Sequence, residues 1–385
     1  MTVNTKANIK ILFALTLVHF TGDLYSSFIS PLFPLFITKM GLSLTQIGII
    51  SGTSLFLSFI VQPTVGYLAD RYATRAFILI GVLMPIVFVP LSGIAAGFWI
   101  LLLLVALGSF GSSMFHPSVT GMVPLYSGNK AGFAMSIFNT GGTLAFGLGP
   151  LFITWYAERF GLNAMPFTII FGLGVVWYLY MIVPVPQSEG LRRLGFLGSV
   201  RESLGSVWKT VVCIWMIMVL RAIIGQSFTT FIPILFVRKG YSVMSAGVIL
   251  AIFTVAGSVS GLIAGHISDR IGYKPVFIFT YALMAPVLIF FLRMQGNWVY
   301  LGAFIAGAMI LATMPLGVAL AQNLAPKGRS MVASLMMGFA VGLGGVISPV
   351  VGKLADIYSI HSVLMGVSFL PLLGLPLIAF FPRTR

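Results

Sequence analysis

The sequence predicts an all-α membrane protein with twelve transmembrane helices, arranged as two six-helix halves related by a pseudo-two-fold axis. The first observation is composition, since 58% of the 385 residues are hydrophobic and only 8% are charged, against about 25% charged in soluble proteins. Such a chain cannot cover a water-facing surface, so apolar surface must face lipid. The other two observations are a series of apolar runs and an internal repeat.

The apolar runs are long enough to cross a bilayer. A span needs about 20 residues and a connection about 10, so a chain of this length accommodates about a dozen spans. The runs between polar breaks predict spans at residues 10–37, 46–69, 75–97, 99–123, 131–155, 163–183, 209–237, 245–268, 275–293, 298–322, 330–354 and 361–381.

One long polar interval, residues 184–208, divides the chain. We expect it to be a linker on the cytoplasmic side, between an N-terminal half of six helices at 1–183 and a C-terminal half at 209–385. This arrangement places 15 of the 22 Lys and Arg residues on the side of both termini. Because basic residues are retained on the cytoplasmic side of a membrane, both termini are predicted to be cytoplasmic.

Charge and cysteine content exclude several classes of protein. The net charge is +15, but the basic residues are scattered singly, which argues against a nucleic-acid surface. The single cysteine, Cys213, permits neither a disulfide framework nor a thiolate metal site within the chain.

The two halves repeat at a constant offset of 199 residues. Pairs of residues that coincide under this shift are Pro34 and Pro233, Gly41 and Gly240, Gly48 and Gly247, Gly66 and Gly265, Asp70-Arg71 and Asp269-Arg270, Lys130 and Arg329, and Pro150 and Pro349. Two parallel six-helix repeats are typical of a large class of transporters, in which the substrate lies near mid-membrane between them.

The connection after the second span of each half carries the same motif. It reads GYLADRYATR at 66–75 and GHISDRIGYK at 265–274, and both resemble the cytoplasmic loop signature of the major facilitator superfamily. The first copy has Ala73 where Gly is usual in the family. The resemblance implies a gate that stabilises the state open to the outside, formed by Gly66, Asp70, Arg71, Gly265, Asp269 and Arg270. The alternative is a solvated turn with a basic anchor.

Further stretches resemble a narrower family, the bacterial fosmidomycin-resistance transporters. They are LTQIGIISGTSLFLSFIVQPTVGYLADRY at 44–72, GSFGSSMFHPSVTGM at 108–122, GFAMSIFNTGGTLAFGLGPL at 132–151, SMVASLMMGFAVGLGGVISPVVGKLAD at 330–356 and FLPLLG at 369–374. This resemblance implies proton-driven export of a small toxic compound across the inner membrane of a bacterium. The chain has Ser118 where the family commonly has Glu.

Four ionisable residues fall inside predicted spans: His19 and Asp23 in the first, His116 in the fourth and Arg221 in the seventh. A charge at mid-membrane costs about 2.5–3.5 kcal/mol on insertion scales, so such groups are expected to face a cavity and to pair. In the resembled superfamily these three spans line the central cavity. Under the 199 shift Arg221 corresponds to Gly22, which predicts that it faces Asp23.

This set of groups suits proton coupling. A carboxylate that meets water in one state and Arg221 in another would have a state-dependent pKa, and imidazoles titrate near neutral pH. We therefore assign proton coupling to Asp23, His19 and His116, and substrate binding to Arg221. Each residue also has a structural alternative. Asp23 could hold helices together, His19 could only orient Asp23, His116 could bond a carbonyl freed at Pro117, and Arg221 could be a fixed counter-ion.

Uncharged polar residues could complete a substrate site. The candidates are Tyr25, Gln62, Asn139 and Gln226. Asn139 is favoured because Gly141 and Gly142 leave room on its helix. For each candidate, hydrogen bonding between helices, worth about 0.6 kcal/mol, is an equal alternative. Asp356 and Glu158, near the outer ends of spans, are expected to be solvated.

These inferences favour a secondary transporter that exports a small, anionic compound in exchange for protons by alternating access. Proton-coupled uptake of an organic acid or sugar, and a non-transporting membrane receptor, are the alternatives. No nucleophile elbow, phosphate loop or metal-spaced cluster occurs in the sequence, so no enzyme, cofactor or metal is expected. The expected partners are a small-molecule substrate, protons and membrane lipid, with no nucleic acid, and the chain is expected to be a monomer.

Overall fold

The computed structural model describes residues 7–72, 74–128, 131–185, 205–325, 332 and 335–382. Within these ranges the chain is helical and contains no strand. Twelve of the described segments are long and apolar enough to cross a membrane. The predicted all-α fold with twelve spans is therefore confirmed.

The first six spans are built from seven α-helices and short 3₁₀ segments. The α-helices are α1 (Ile9–Ser26), α2 (Phe33–Met40), α3 (Leu44–Arg71), α4 (Ala76–Leu91), α5 (Phe98–Tyr126), α6 (Ala131–Phe160) and α7 (Ile169–Ile182).

The last six spans are more often interrupted. Their α-helices are α8 (Trp208–Arg238), α9 (Val243–Ile271), α10 (Tyr273–Arg293), α11 (Trp298–Leu311), α12 (Thr313–Leu324), α13 (Ala340–Val346), α14 (Ser348–Ile357), α15 (Ile360–Val367) and α16 (Leu370–Ala379). A π-helical segment, Leu335–Phe339, precedes α13.

The first span shows how local sequence sets these breaks. Asn8 caps α1, and its side chain accepts a hydrogen bond from the backbone N–H of Ile11 at 3.2 Å. Pro31 and Pro34 follow α1, and a proline cannot donate to the preceding turn, so a short 3₁₀ segment separates α1 from α2. Gly41 ends α2 with a φ of 65°, a left-handed conformation that glycine adopts without steric cost.

The chain divides into two compact units. Unit 1 contains residues 1–42 and 60–191, and unit 2 contains 43–59 and 192–385. The sequence places the boundary between the two halves at 184–208. The units differ from the predicted halves in the first half of α3, residues 44–59, which belongs to unit 2. Most of the predicted linker, 186–204, lies outside the described residues.

Each unit has its own first long helix at its centre. In unit 1, α1 packs against α4, α5, α6 and α7, and Ala14, Leu15 and Val18 are fully buried. In unit 2, α8 packs against α9, α13 and α16. Buried ionisable side chains on α1 or α8 are therefore enclosed by helices of their own unit. This packing places candidate site residues of one unit next to one another.

Candidate functional site

Asp23 lies on the buried face of α1 with His19 one turn before it. The two residues are 3% and 8% exposed, and His19 Nε2 lies 3.1 Å from Asp23 Oδ2. Residues four apart on a helix share one face, so the sequence itself places this pair in contact. The carboxylate is thus held within unit 1, out of reach of bulk water.

His116 completes the cluster from α5. Its Nε2 lies 3.2 Å from the second carboxylate oxygen, Asp23 Oδ1. Its side chain is 28% exposed against 4% for that of Asp23, so the imidazole of His116 is the more accessible end of the cluster. The structure therefore brings together the three residues to which the sequence assigns proton coupling, and we call them the Asp23 cluster.

The orientation of each imidazole is set by a contact between its second ring nitrogen, Nδ1, and a backbone carbonyl oxygen. His19 Nδ1 lies 2.9 Å from the carbonyl oxygen of Phe138, and His116 Nδ1 lies 2.6 Å from that of Ser112 in its own helix. The His19 ring also stacks on the Phe138 ring, with centroids 4.2 Å apart. One nitrogen of His116 thus bonds a backbone carbonyl while the other faces Asp23; the carbonyl is that of Ser112, four residues before His116, and not that of Ser113, four residues before Pro117.

A glycine makes room for the cluster. A Cβ added to Gly142 on α6 would lie 2.6 Å from His19 Nε2 and 2.9 Å from Asp23 Oδ2. Side-chain carbons are not found that close to such atoms, so any larger residue at 142 would force the His19 ring or the Asp23 carboxylate to shift. The sequence indicated free space beside Asn139 at Gly141 and Gly142, but not that His19 and Asp23 fill the space at Gly142.

The same three side chains have the composition of a metal site. Their donor atoms lie within 4.8 Å of one another, the one such group found among the described residues. The contacts at 3.1 and 3.2 Å are ion-pair distances between the imidazoles and the carboxylate. Protons therefore suffice to account for them, and we assign no metal to the site.

Arg221 is a buried cation of unit 2, and no other described Lys or Arg of that unit is buried. It lies on α8, is 4% exposed, and its Nε is buried without a hydrogen-bond partner among the described residues. Tyr281, on α10, is the ionisable group that interacts with it electrostatically, and the Tyr281 hydroxyl donates to the carbonyl of Ile217 at 2.9 Å. The described carboxylates of unit 2, Asp269 and Asp356, lie near helix ends. The pairing of Arg221 with Asp23 stays a prediction.

The other predicted substrate contacts have varied surroundings. The Tyr25 hydroxyl donates to the carbonyl of Thr168, a contact that ties α1 to α7. Gln226 donates to Ser51 Oγ at 2.6 Å and to Thr230 Oγ1 at 3.0 Å within unit 2. Asn139 is exposed on α6 and Gln62 is half-buried on α3.

The predicted gating residues lie at the ends of α3 and α9. Gly66, Asp70 and Arg71 are in the last turns of α3, but their side chains lie outside the described part of the structure, as does Ala73. Asp269 and Arg270 are exposed at the end of α9. A Cβ added to Gly265 would meet no described atom within 4 Å, so none of the described helices approaches closely enough to require glycine there. Their role in a gate remains a prediction.

Asp356 is exposed, as the sequence predicts, but its carboxylate also accepts three hydrogen bonds. Its Oδ1 accepts a hydrogen bond from the backbone N–H of Leu44 at 2.8 Å. Its Oδ2 accepts from the backbone N–H of Thr45 at 2.9 Å and from the Thr45 hydroxyl at 2.6 Å. A carboxylate 312 residues along the chain from Leu44 therefore caps α3, and no local sequence signal reveals such a pair.

Twelve apolar segments long enough to cross a membrane, with ionisable groups buried among them, are typical of a multi-pass membrane transporter. The chain belongs to the Major Facilitator Superfamily, whose family model matches residues 15–349. This confirms the resemblance drawn from the paired loop motifs. Members of the family are transporters, not enzymes, and the chain is expected to move a small molecule.

Individual relatives agree with this assignment. The fosmidomycin resistance protein of Escherichia coli (strain K12) is 28% identical over 393 residues, which cover all of this chain and 95% of that protein. The multidrug resistance protein MdtG of Proteus mirabilis (strain HI4320) is 25% identical over 350 residues, covering 85% of this chain and 84% of that protein. The narrower resemblance to fosmidomycin-resistance transporters is thereby confirmed.

The fold has solved counterparts. A bacterial homologue of the human lysosomal transporter Spinster, in an inward-facing and occupied conformation, superposes with a TM-score of 0.82. It is 15% identical, and the match covers 97% of each chain. At this identity the likeness extends to the fold alone.

Proposed function

We propose that the protein is a drug/proton antiporter that exports a small, anionic compound across the cytoplasmic membrane of a bacterium by alternating access. The observation that carries the proposal is the Asp23 cluster. A buried carboxylate between two imidazoles can bind and release protons within one six-helix unit, and intramembrane groups of this kind are the usual components of proton relays. His116, whose side chain is 28% exposed, is the member of the cluster through which protons would reach Asp23.

Arg221 supports an anionic substrate. A buried guanidinium is always charged, and burying a charge without a partner is costly. Within the described residues of unit 2 no carboxylate forms an ion pair with it. A carboxylate, phosphate or phosphonate on a substrate would supply the missing negative charge and bond the Nε that has no partner.

Relatives suggest the probe for a first experiment. Because the E. coli relative is named a fosmidomycin resistance protein, fosmidomycin is the first compound to test on purified protein in proteoliposomes. Vesicles loaded with labelled fosmidomycin are diluted into acidic or alkaline medium. In antiport, inward proton flow from acidic medium accelerates release of the compound. In symport, outward proton flow into alkaline medium accelerates it instead, which would favour the uptake alternative.

The variant that tests the site is Asp23→Asn. The amide keeps the size of the side chain but carries no negative charge, so it neither binds a proton nor stabilises one on the facing imidazoles, and release driven by a pH gradient should fall to that of protein-free vesicles. Exchange of labelled for unlabelled fosmidomycin at equal pH should persist, because it needs no proton movement. Full gradient-driven release by Asp23→Asn would refute the assignment of proton coupling to this carboxylate. Loss of both activities would indicate a misfolded variant, which its elution volume on size exclusion would reveal.

A further inference from the structure

The hydrogen atoms of the Asp23 cluster can be placed from its outer contacts. A backbone carbonyl only accepts hydrogen bonds. The contacts of His19 Nδ1 with Phe138 O at 2.9 Å and of His116 Nδ1 with Ser112 O at 2.6 Å therefore require a hydrogen on each Nδ1. In a neutral imidazole only one nitrogen carries hydrogen. Both Nε2 atoms are then bare lone pairs whenever the rings are neutral.

The inner contacts of the cluster are unfavourable in that state. Each bare Nε2 faces one oxygen of an ionised Asp23, at 3.1 Å for His19 and 3.2 Å for His116. Two acceptors at this distance repel one another, and neither contact can become a hydrogen bond without an added proton. Asp23 Oδ1 is moreover buried without a well-aligned hydrogen bond. Each contact becomes attractive once a proton is added to it.

Among the described residues of unit 1, no other ionisable side chain contacts Asp23. Of the helices packed against α1, α4 carries no charged or histidine residue, and α7 carries only tyrosines as ionisable residues. The charged residues of α6, Glu158 and Arg159, lie at its C-terminal end. On α1 itself, the Tyr25 hydroxyl is already bonded to Thr168. His19 and His116 are thus the groups that face Asp23 from within its unit.

We infer that the Asp23 cluster is a two-proton site, in which each imidazole binds one proton on Nε2 against its own oxygen of Asp23. The cluster passes from a net charge of −1, with two neutral rings and a carboxylate, to +1, with two imidazolium rings and the same carboxylate. This inference deepens the proposed function and rests on it only for its consequence, which is that two protons are exchanged for each substrate molecule exported.

The experiment is a nitrogen NMR titration of the full chain. The protein contains four histidines, so labelling with ¹⁵N-histidine gives a spectrum that single His→Gln variants can assign. In the wild-type protein at alkaline pH, the rings of His19 and His116 should both carry hydrogen on Nδ1 alone. On acidification both Nε2 signals should move to imidazolium values. His266→Gln, which removes an exposed histidine of α9, is the matched control and should leave both titrations unchanged.

Two results would overturn the inference. One is that only one of the two rings becomes imidazolium over the whole range in which the protein stays folded. The other is that either neutral ring carries its hydrogen on Nε2, since that ring would already satisfy Asp23. The wild-type protein supplies the decisive spectrum, and the His→Gln variants serve only to assign its signals.

The titration and the transport assay test the two-proton site and the export function independently. If both rings titrate but no pH gradient drives release of fosmidomycin, the proposed export function fails and the two-proton site stands. If Asp23→Asn abolishes coupling but one ring alone titrates, export stands and the two-proton site fails. If the export function and the two-proton site are both correct, the membrane voltage at which net fosmidomycin flux is zero should give a ratio of two protons per fosmidomycin molecule. His116→Gln should reduce that number to one.

Discussion

At the scale of single residues, the burial of Asp23 is offset by its two imidazole partners. Placing an aspartate at mid-membrane costs about 2.5–3.5 kcal/mol on insertion scales. Hydrogen bonds to a charged group contribute about 1.5–3 kcal/mol each, so two such contacts are of the size needed to offset this cost. The residue can therefore remain in α1 without a cation from elsewhere, provided that protons are supplied.

The sequence identifies these residues because ionisable groups are rare inside apolar spans. Rarity alone selected Asp23, His19, His116 and Arg221, and helical periodicity placed His19 beside Asp23. The sequence does not identify the Phe138 carbonyl as the partner of His19, because this contact depends on how α6 packs against α1. The Ser112 carbonyl, in contrast, lies one turn before His116 in the same helix. Together the two carbonyls determine which nitrogen of each ring carries hydrogen.

Gly142 gives a residue-scale prediction. In Gly142→Ala the new Cβ would lie 2.6 Å from His19 Nε2, so the His19 ring must move away from Asp23. Overpacking of this kind costs about 1–3 kcal/mol, and we expect gradient-driven release of fosmidomycin to fall by about tenfold, which corresponds to about 1.4 kcal/mol. Initial release rates from proteoliposomes measure the effect.

Gly121→Ala is the matched control for that substitution. Gly121 lies in α5 of the same unit, and a Cβ added there would meet nothing within 4 Å. Alanine is also the better helix former by about 1 kcal/mol, so this variant should transport as well as the wild-type protein. Equal rates for Gly142→Ala and Gly121→Ala would show that the cluster does not need the close approach of α6.

At the scale of elements, the start of α3 has every first-turn donor satisfied. Ser43 and Gln46 form a capping box, in which Ser43 Oγ accepts from the backbone N–H of Gln46 at 3.1 Å and Gln46 Oε1 accepts from that of Ser43 at 2.9 Å. Asp356 accepts from the backbone N–H groups of Leu44 and Thr45. The local box is visible in the sequence, whereas the distant carboxylate is not.

Replacing Asp356 should loosen the start of α3. In Asp356→Ala the N–H groups of Leu44 and Thr45 lose their acceptor, and losing a helix cap costs about 1 kcal/mol. We expect amide hydrogens of residues 44–50 to exchange about fivefold faster, as a loss of that size implies. Hydrogen exchange followed by mass spectrometry measures this. Asp356→Asn, which keeps one acceptor oxygen, should fall between Ala and wild type.

Asp269→Ala is the charge-matched control for Asp356→Ala. It removes a carboxylate from the same unit, at the end of α9, but not from the start of α3. Exchange at residues 44–50 should then match the wild-type rate. Equal acceleration in both variants would mean that net charge, not the cap, controls the stability of this turn.

Hydropathy predicted where the membrane-spanning helices lie, but it did not predict where a span is broken into two helices. The predicted span at 298–322 is a single run, yet α11 ends at Leu311 and α12 begins at Thr313, just before Pro315. Proline at the third position of α12 needs no partner for its missing N–H, so a new helix can begin there. A proline can equally sit inside a continuous helix, as Pro233 does in α8, so sequence alone does not say which outcome occurs.

At the scale of the whole molecule, the repeat found in the sequence is reproduced by the helices. Corresponding spans begin at Ile9 and Trp208, Leu44 and Val243, Ala76 and Tyr273, Phe98 and Trp298, and Leu162 and Ile360. Subtraction gives offsets of 199, 199, 197, 200 and 198 residues. Scattered glycines, prolines and loop charges therefore predicted the register of these five pairs of spans, because the same residues end helices in both halves.

The division of the chain into units could not be predicted in the same way. Linker composition marked 184–208, but the grouping of residues 43–59 with unit 2 depends on close packing within that unit. A Cβ added to Gly52 would lie 2.8 Å from the carbonyl oxygen of Gly345. Glycine on both helices permits this approach, and no periodicity in the sequence reveals which glycines will meet.

Membrane orientation is the prediction that belongs to the whole chain. Fifteen of the 22 basic residues lie on one side if both termini are cytoplasmic, and retained cations keep that side inside. Alkaline phosphatase, which is active only after export, should therefore be active when fused after residue 161 or 240 and inactive when fused after 190 or 272. A green fluorescent protein fused at the same four positions should give the opposite pattern and serves as the expression control. Active phosphatase after residue 190 or 272 would show that the termini face the outside. Protons would then have to reach His116 from the opposite side of the membrane.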